Sequence, residues 1–98
     1  MNILWAPEAE QDRLHIWTHV AAENPVAARQ LDRLFADAAA SLANFSQRGK
    51  PGRIPGTREL FPHENYRLVY EVHGETVWIL ALVHAARQWP LPAPAGHD

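Results

Sequence analysis

The chain contains no cysteine, which excludes disulfide frameworks, thiolate nucleophiles and cysteine-ligated metal centres. It has no apolar run near the roughly 18–20 residues of a membrane span. Its opening residues, Met1-Asn2-Ile3-Leu4-Trp5, lack the basic residues of a secretion leader. A cytoplasmic protein with no membrane role is therefore expected. No internal repeat is present, and no glycine-rich phosphate loop: Pro51-Gly52-Arg53-Ile54-Pro55-Gly56 is not followed by Lys-Ser or Lys-Thr. Ser41 and Ser46 lack the turn context of a nucleophile. His15 and His19 stand four apart on one helix face, but nothing at a suitable spacing completes a zinc pattern. Neither a metal nor any other cofactor is expected.

What is present suffices for a core. Of the 98 residues, 47% are hydrophobic, and a chain of this size buries roughly 60–70% of its unfolded surface. We expect a single domain over residues 1–90 and a flexible proline-rich tail over 91–98. The net charge of −2 is unevenly spread. From Met1 to Phe45 three arginines face six acids, a net of −3, whereas Gln47 to Arg58 holds Arg48, Lys50, Arg53 and Arg58 and no acid. Those four are candidate binding residues for an anionic partner. A solvated loop that keeps the protein soluble is the competing reading.

In chain order, Asn2 to Trp5 reads as a short strand stopped by Ala6-Pro7. A helix follows, with Pro7 at its first position and Glu8, Glu10 and Asp12 against the positive end of its dipole. Ile16, Trp17, Val20 and Ala21 are expected to form its buried stripe. Asn24-Pro25 supplies an N-cap and first-turn proline for a second helix. Its apolar row runs Ala28, Leu31, Phe35, Ala38, Leu42 and Phe45, broadened by Leu34. Ser46 to Gly56 is a loop, and Thr57 to Phe61 a strand that turns at Pro62-His63-Glu64-Asn65. The strongest strand signals are Tyr66 to Val72 and Thr76 to His84, a hairpin turning at Gly74. The second of these is apolar on both faces, which predicts cover on both sides. The order is β-α-α-β-β-β, an α+β fold with a mainly antiparallel sheet and a helical hairpin on one face.

Chemistry rests on cations on or beside the sheet: Arg58, Arg67, His84 and Arg87. Side chains from neighbouring strands can converge; arginines hold phosphates, and His84 could exchange protons near neutral pH. The alternative is structural, with Arg67 paired across strands to Glu59, Glu64 or Glu71, and the pattern slightly favours it. Trp89 either stacks on Arg87 or covers the end of the core; the second suits its position before a proline-rich stretch.

The element order, the Glu23-Asn24-Pro25 boundary and the strings Pro55-Gly56-Thr57-Arg58-Glu59-Leu60, Tyr66-Arg67-Leu68-Val69-Tyr70-Glu71-Val72 and Val83-His84-Ala85-Ala86-Arg87-Gln88-Trp89-Pro90 together resemble the RelE/ParE toxin superfamily. The resemblance runs from Ile3 to about Pro90. It implies the toxin of a type II toxin–antitoxin (plasmid stabilisation) module, held inactive by a cognate antitoxin protein. RelE-like members act at the ribosome and cleave mRNA, which would make Arg67, His84 and Arg87 the catalytic candidates. ParE-like members inhibit DNA gyrase without being nucleases. The acidic balance and the lack of any tyrosine after Tyr70 depart from the nuclease pattern, so the ParE-like branch is favoured.

Overall fold

The computed structural model describes residues 1–90; the expected tail at 91–98 lies outside them. The element order is β1 (Asn2–Trp5), α1 (Pro7–Ala21), α2 (Pro25–Ser41), β2 (Lys50–Pro51), β3 (Arg58–His63), β4 (Tyr66–His73) and β5 (Thr76–His84). The five strands form one sheet in the order β1-β5-β4-β3-β2. All neighbours are antiparallel except β1, which lies parallel to β5. The α+β architecture expected from the sequence is thus the one observed, with β2 added as a two-residue edge strand inside the expected loop. No described helix is long and apolar enough to cross a membrane.

Local chemistry sets the boundaries. Asn24 Oδ1 accepts the Ala27 N–H at 3.0 Å with Pro25 at the head of α2, which satisfies one of the free amides of the first turn. The β4–β5 turn holds Gly74 at φ 58° while Glu75 stays at negative φ, as a two-residue hairpin turn with glycine first requires. At the end of β3 the register slips between Leu60 and His63. Pro62 has no N–H to offer a ladder, so a bulge on that stretch accommodates it. The strand consequently runs on to His63 and the turn contracts to Glu64-Asn65.

The core lies between the helical hairpin and one sheet face. Ala9, Phe35, Ala39 and Leu42 pack on Leu68, Tyr70, Val77, Ile79 and Leu82. A second irregularity, between Val69 and Tyr70 of β4, leaves Leu80 of β5 without a partner. It shifts the alternation, so Ile79 and Leu82 both reach the helices while Ala81 reaches the opposite face. The apolar run of β5 therefore reflects a phase change as well as burial. Among the described residues, the open face is covered at one end by Trp89, which packs on Val69, Ala81 and Val83. Trp78 remains 37% exposed. Trp89 is core cover, as its position suggests.

Two helical expectations are corrected. Of the stripe predicted for α1, Ile16 packs on the core, but Trp17 is exposed and the one fully buried residue is Ala9. Helix α2 stops at Ser41 rather than reaching Phe45, which is 65% exposed. Ser41 Oγ donates to the Ala38 carbonyl at 2.7 Å, and the following Asn44 and Ser46 are of the kind that compete with helical backbone bonds.

Strand β1 covers β5 only from Thr76 to Ile79. Beyond it, Asp12 of α1 takes the ladder's place, its Oδ2 accepting the Leu82 N–H at 3.0 Å. Burial raises the Asp12 pKa, against the lowering effects of that bond and of the His15 and Arg87 charges. A group with a raised native pKa binds protons more readily folded than unfolded. Its contribution to stability is therefore present at low pH and lost as pH rises from 3.8 through the native value. Asp12→Asn, which keeps an acceptor, should flatten this component of the urea midpoint against pH. Asp12→Ala should lower stability by about 1–2 kcal/mol by orphaning the Leu82 amide.

Candidate functional site

The sheet separates the cations the sequence singled out. Residues directly opposite on neighbouring strands share a face and adjacent residues alternate. Arg67 lies opposite Val83, whereas His84 lies opposite Tyr66. Tyr66 meets Phe35 of α2 edge-on at 5.4 Å, so His84 is on the helix side and Arg67 on the open face. His84 is exposed, its ring 5.2 Å from that of Tyr66, with Nδ1 accepting the Ala86 N–H at 3.1 Å. Arg87 is exposed as well and donates its N–H to the His84 carbonyl at 2.9 Å. A backbone turn bond ties Arg87 to His84, and the register leaves Arg67 across the sheet from His84.

Arg67 is only 5% exposed. Its Nε comes within 3.1 Å of Glu59 Oε1, and Glu59 is equally deep. The N–H does not point squarely at the oxygen, and neither Nε nor Nη1 completes a hydrogen bond. The contact is thus an ion pair held by charge rather than a geometric fork. The Phe61 ring lies 5.4 Å from the guanidinium carbon, within cation–π range. Of the readings open for Arg67, a cross-strand pair with Glu59 is the arrangement found.

The basic segment is fastened down rather than displayed as a whole. Arg48 Nη1 donates to Ser41 Oγ at 3.0 Å. Arg58, on the helix side opposite Tyr70, donates to the Gly49 carbonyl at 2.6 Å and to the Gln47 side chain. Arg53 belongs to the other face, where its N–H donates to Glu59 Oε2 at 2.9 Å and its Nη1 to the Trp89 carbonyl at 3.0 Å. Lys50, exposed on the edge strand β2, has no ion-pair partner among the described residues. No group of three or more potential metal ligands assembles among the described residues.

A residue the sequence analysis did not single out for a role organises this segment. The fully buried Tyr70 accepts the Gly49 N–H at 2.9 Å and donates to the Ser46 carbonyl at 2.8 Å. Gly49 sits so close that a Cβ there would stand 2.8 Å from the Tyr70 ring and 2.9 Å from the Glu59 carbonyl oxygen. The signal that could have exposed this was a tyrosine at an inward strand position. A buried phenol needs a hydrogen-bond partner, and a loop with spare backbone groups supplies one.

Comparison with known proteins identifies the family. Residues 3–89 match the model of the family described as ParE toxin of type II toxin-antitoxin system, parDE. The chain belongs to that family. A Sinorhizobium fredii protein named "Putative toxin Y4kP" is 33% identical over 90 residues, spanning 91% of this chain and 93% of its own. Among solved structures, a chain of the chromosomal ParDE TA system from P. aeruginosa superposes with a TM-score of 0.78 at 22% identity, covering 86% of this chain and 95% of that one. The YoeB/ParE toxin from Agrobacterium tumefaciens follows with a TM-score of 0.62 at 13% identity, covering 86% and 98%. The chain is thus a ParE-family type II toxin, and at these identities the structural matches speak for the fold alone.

Tyr70→Phe should strand the Gly49 amide and the Ser46 carbonyl together. We expect a loss of about 1–3 kcal/mol in urea unfolding and faster hydrogen exchange at Gly49. An unchanged midpoint and exchange rate would show that the hydroxyl does not hold the loop.

Proposed function

We propose that this ParE-family toxin acts as a non-enzymatic inhibitor of DNA gyrase and is neutralised by a cognate antitoxin. The observation that carries the first half is the position of Arg67. Cleavage of an RNA phosphodiester by Arg67, His84 and Arg87 would require the three to face one phosphate, because phosphate stabilisation and proton transfer act over hydrogen-bond distances. Here the sheet stands between Arg67 and His84, and the Arg67 charge is already engaged by Glu59. The net charge of −2 also lacks the cationic excess that supports binding to an RNA surface.

An antitoxin partner is supported by the family, whose description names a toxin–antitoxin system. The fold is shared with structures such as the heterotetrameric complex of YoeB-YefM toxin-antitoxin from Staphylococcus aureus, with a TM-score of 0.59. Lys50 and Arg48, both exposed, would attract an acidic segment of such a partner.

Purified toxin added to gyrase and plasmid DNA should block supercoiling or trap cleaved DNA at micromolar concentration, and His84→Ala should inhibit equally well. In a ribosome-programmed translation mixture the same protein should leave mRNA intact. Codon-positioned cuts that vanish with His84→Ala, together with unimpaired supercoiling, would overturn the proposal in favour of ribosome-dependent cleavage.

A further inference from the structure

Helix α1 has apolar residues on two sides where a surface helix needs them on one. Ala9 and Ile16 face the core. On the outer side stand Leu14, 56% exposed, and Trp17, 37% exposed. Glu10 precedes them by four and seven residues, so the three form one stripe along the helix. With Trp5, Arg13 and Asp32 they line a concavity of about 430 Å³.

The charges in this concavity do not cancel. Arg13 forks onto Asp32, with Nε at 2.6 Å from one carboxylate oxygen and Nη2 at 2.9 Å from the other. The same guanidinium lies 4.8 Å from the centre of the Trp5 ring. The hydrogen bonds to Asp32 raise the Arg13 pKa, and the charge of Glu10 adds to the effect, so Glu10 lies within electrostatic reach of the pair. Arg13 and Asp32 neutralise one another. Glu10 has no ion-pair partner among the described residues, and no cation stacks on Trp17 among them. The concavity carries one net negative charge beside one occupied indole and one unoccupied indole.

We propose that this concavity docks an arginine side chain of a partner protein. A planar guanidinium can fork onto the Glu10 carboxylate while its methylene stem runs over Leu14 toward the Trp17 ring. The neighbouring assembly of Arg13, Asp32 and Trp5 is the same recognition made within the chain. A lysine ammonium fits less well, because it is a point charge that neither forks nor stacks in this way. Tryptophan is also among the residues enriched in interface anchors. This inference does not depend on whether gyrase is the toxin's target.

The test uses the intact protein with ¹⁵N-labelled tryptophans and two capped peptides. One is acetyl-Ala-Leu-Arg-Leu-Ala-Ala-amide; the other replaces arginine with citrulline, which keeps the shape and removes the charge. The indole N–H signals of Trp5 and Trp17 should shift with the arginine peptide, while those of Trp78 and Trp89 stay in place. The citrulline peptide should bind about tenfold more weakly, equivalent to about 1.4 kcal/mol. Glu10→Gln should abolish the preference for arginine, and Glu8→Gln, a change to an exposed acid outside the concavity, should leave it intact. Equal shifts with both peptides would show an apolar groove indifferent to charge. Absence of any Trp17 shift at millimolar arginine peptide would show no docking site. Either result overturns the proposal.

Discussion

A guanidinium buried on a sheet must have its charge met, and the Glu59 carboxylate meets that of Arg67. The same carboxylate does more. Its second oxygen accepts the Arg53 amide, which fixes the loop before β3. Arg53 in turn holds the Trp89 carbonyl, and Trp89 covers Val69, Ala81 and Val83. One acid on β3 thus links the central strand, the basic loop and the end of the described chain. Such a pair adds little net stability relative to an apolar substitute, because desolvating two ions offsets their attraction. It is nonetheless intolerant of losing one member, since the survivor is left charged and buried.

The helix side of the sheet follows a parallel logic with a neutral group. Tyr70 is the centre of the core and also the tether of Ser46 and Gly49. Arg58 adds a second tie to the same glycine. The loop that composition marks as a basic patch is therefore fastened on one side of the sheet by a phenol and on the other by a carboxylate. Several of its cations are occupied in holding the fold, and Lys50 is left presented at the sheet edge. A toxin recognised by an antitoxin has reason to hold its surface loops in one conformation, because pre-organisation lowers the entropic cost of binding.

Much of this was legible in the sequence. Asn24-Pro25 and His73-Gly74-Glu75 each admit few local conformations, so the helical hairpin and the β-hairpin could be placed from residues alone. Glu59 was visible as one of three candidate partners for Arg67, and the strand expected at Thr57 to Phe61 carried it. What could not be read was parity. Whether Arg67 and His84 share a face depends on a β4–β5 register that slips at Leu80, and an all-apolar run carries no mark of where its phase changes. The surface position of Trp17 was hidden for a related reason. Periodicity shows that apolar residues recur, not which of two apolar stripes the sheet will cover.

The central claim is that Arg67 serves the fold, as half of a buried ion pair, rather than a catalytic site. The most direct measurement is a double-mutant cycle in urea unfolding with Arg67→Met, Glu59→Gln and the two together. Each single change should cost about 3 kcal/mol, and the double should cost well under the sum, because it removes the orphaned charge along with its partner. Single changes within about 0.5 kcal/mol of the parent, additive in the double and accompanied by loss of growth arrest with Arg67→Met, would contradict it.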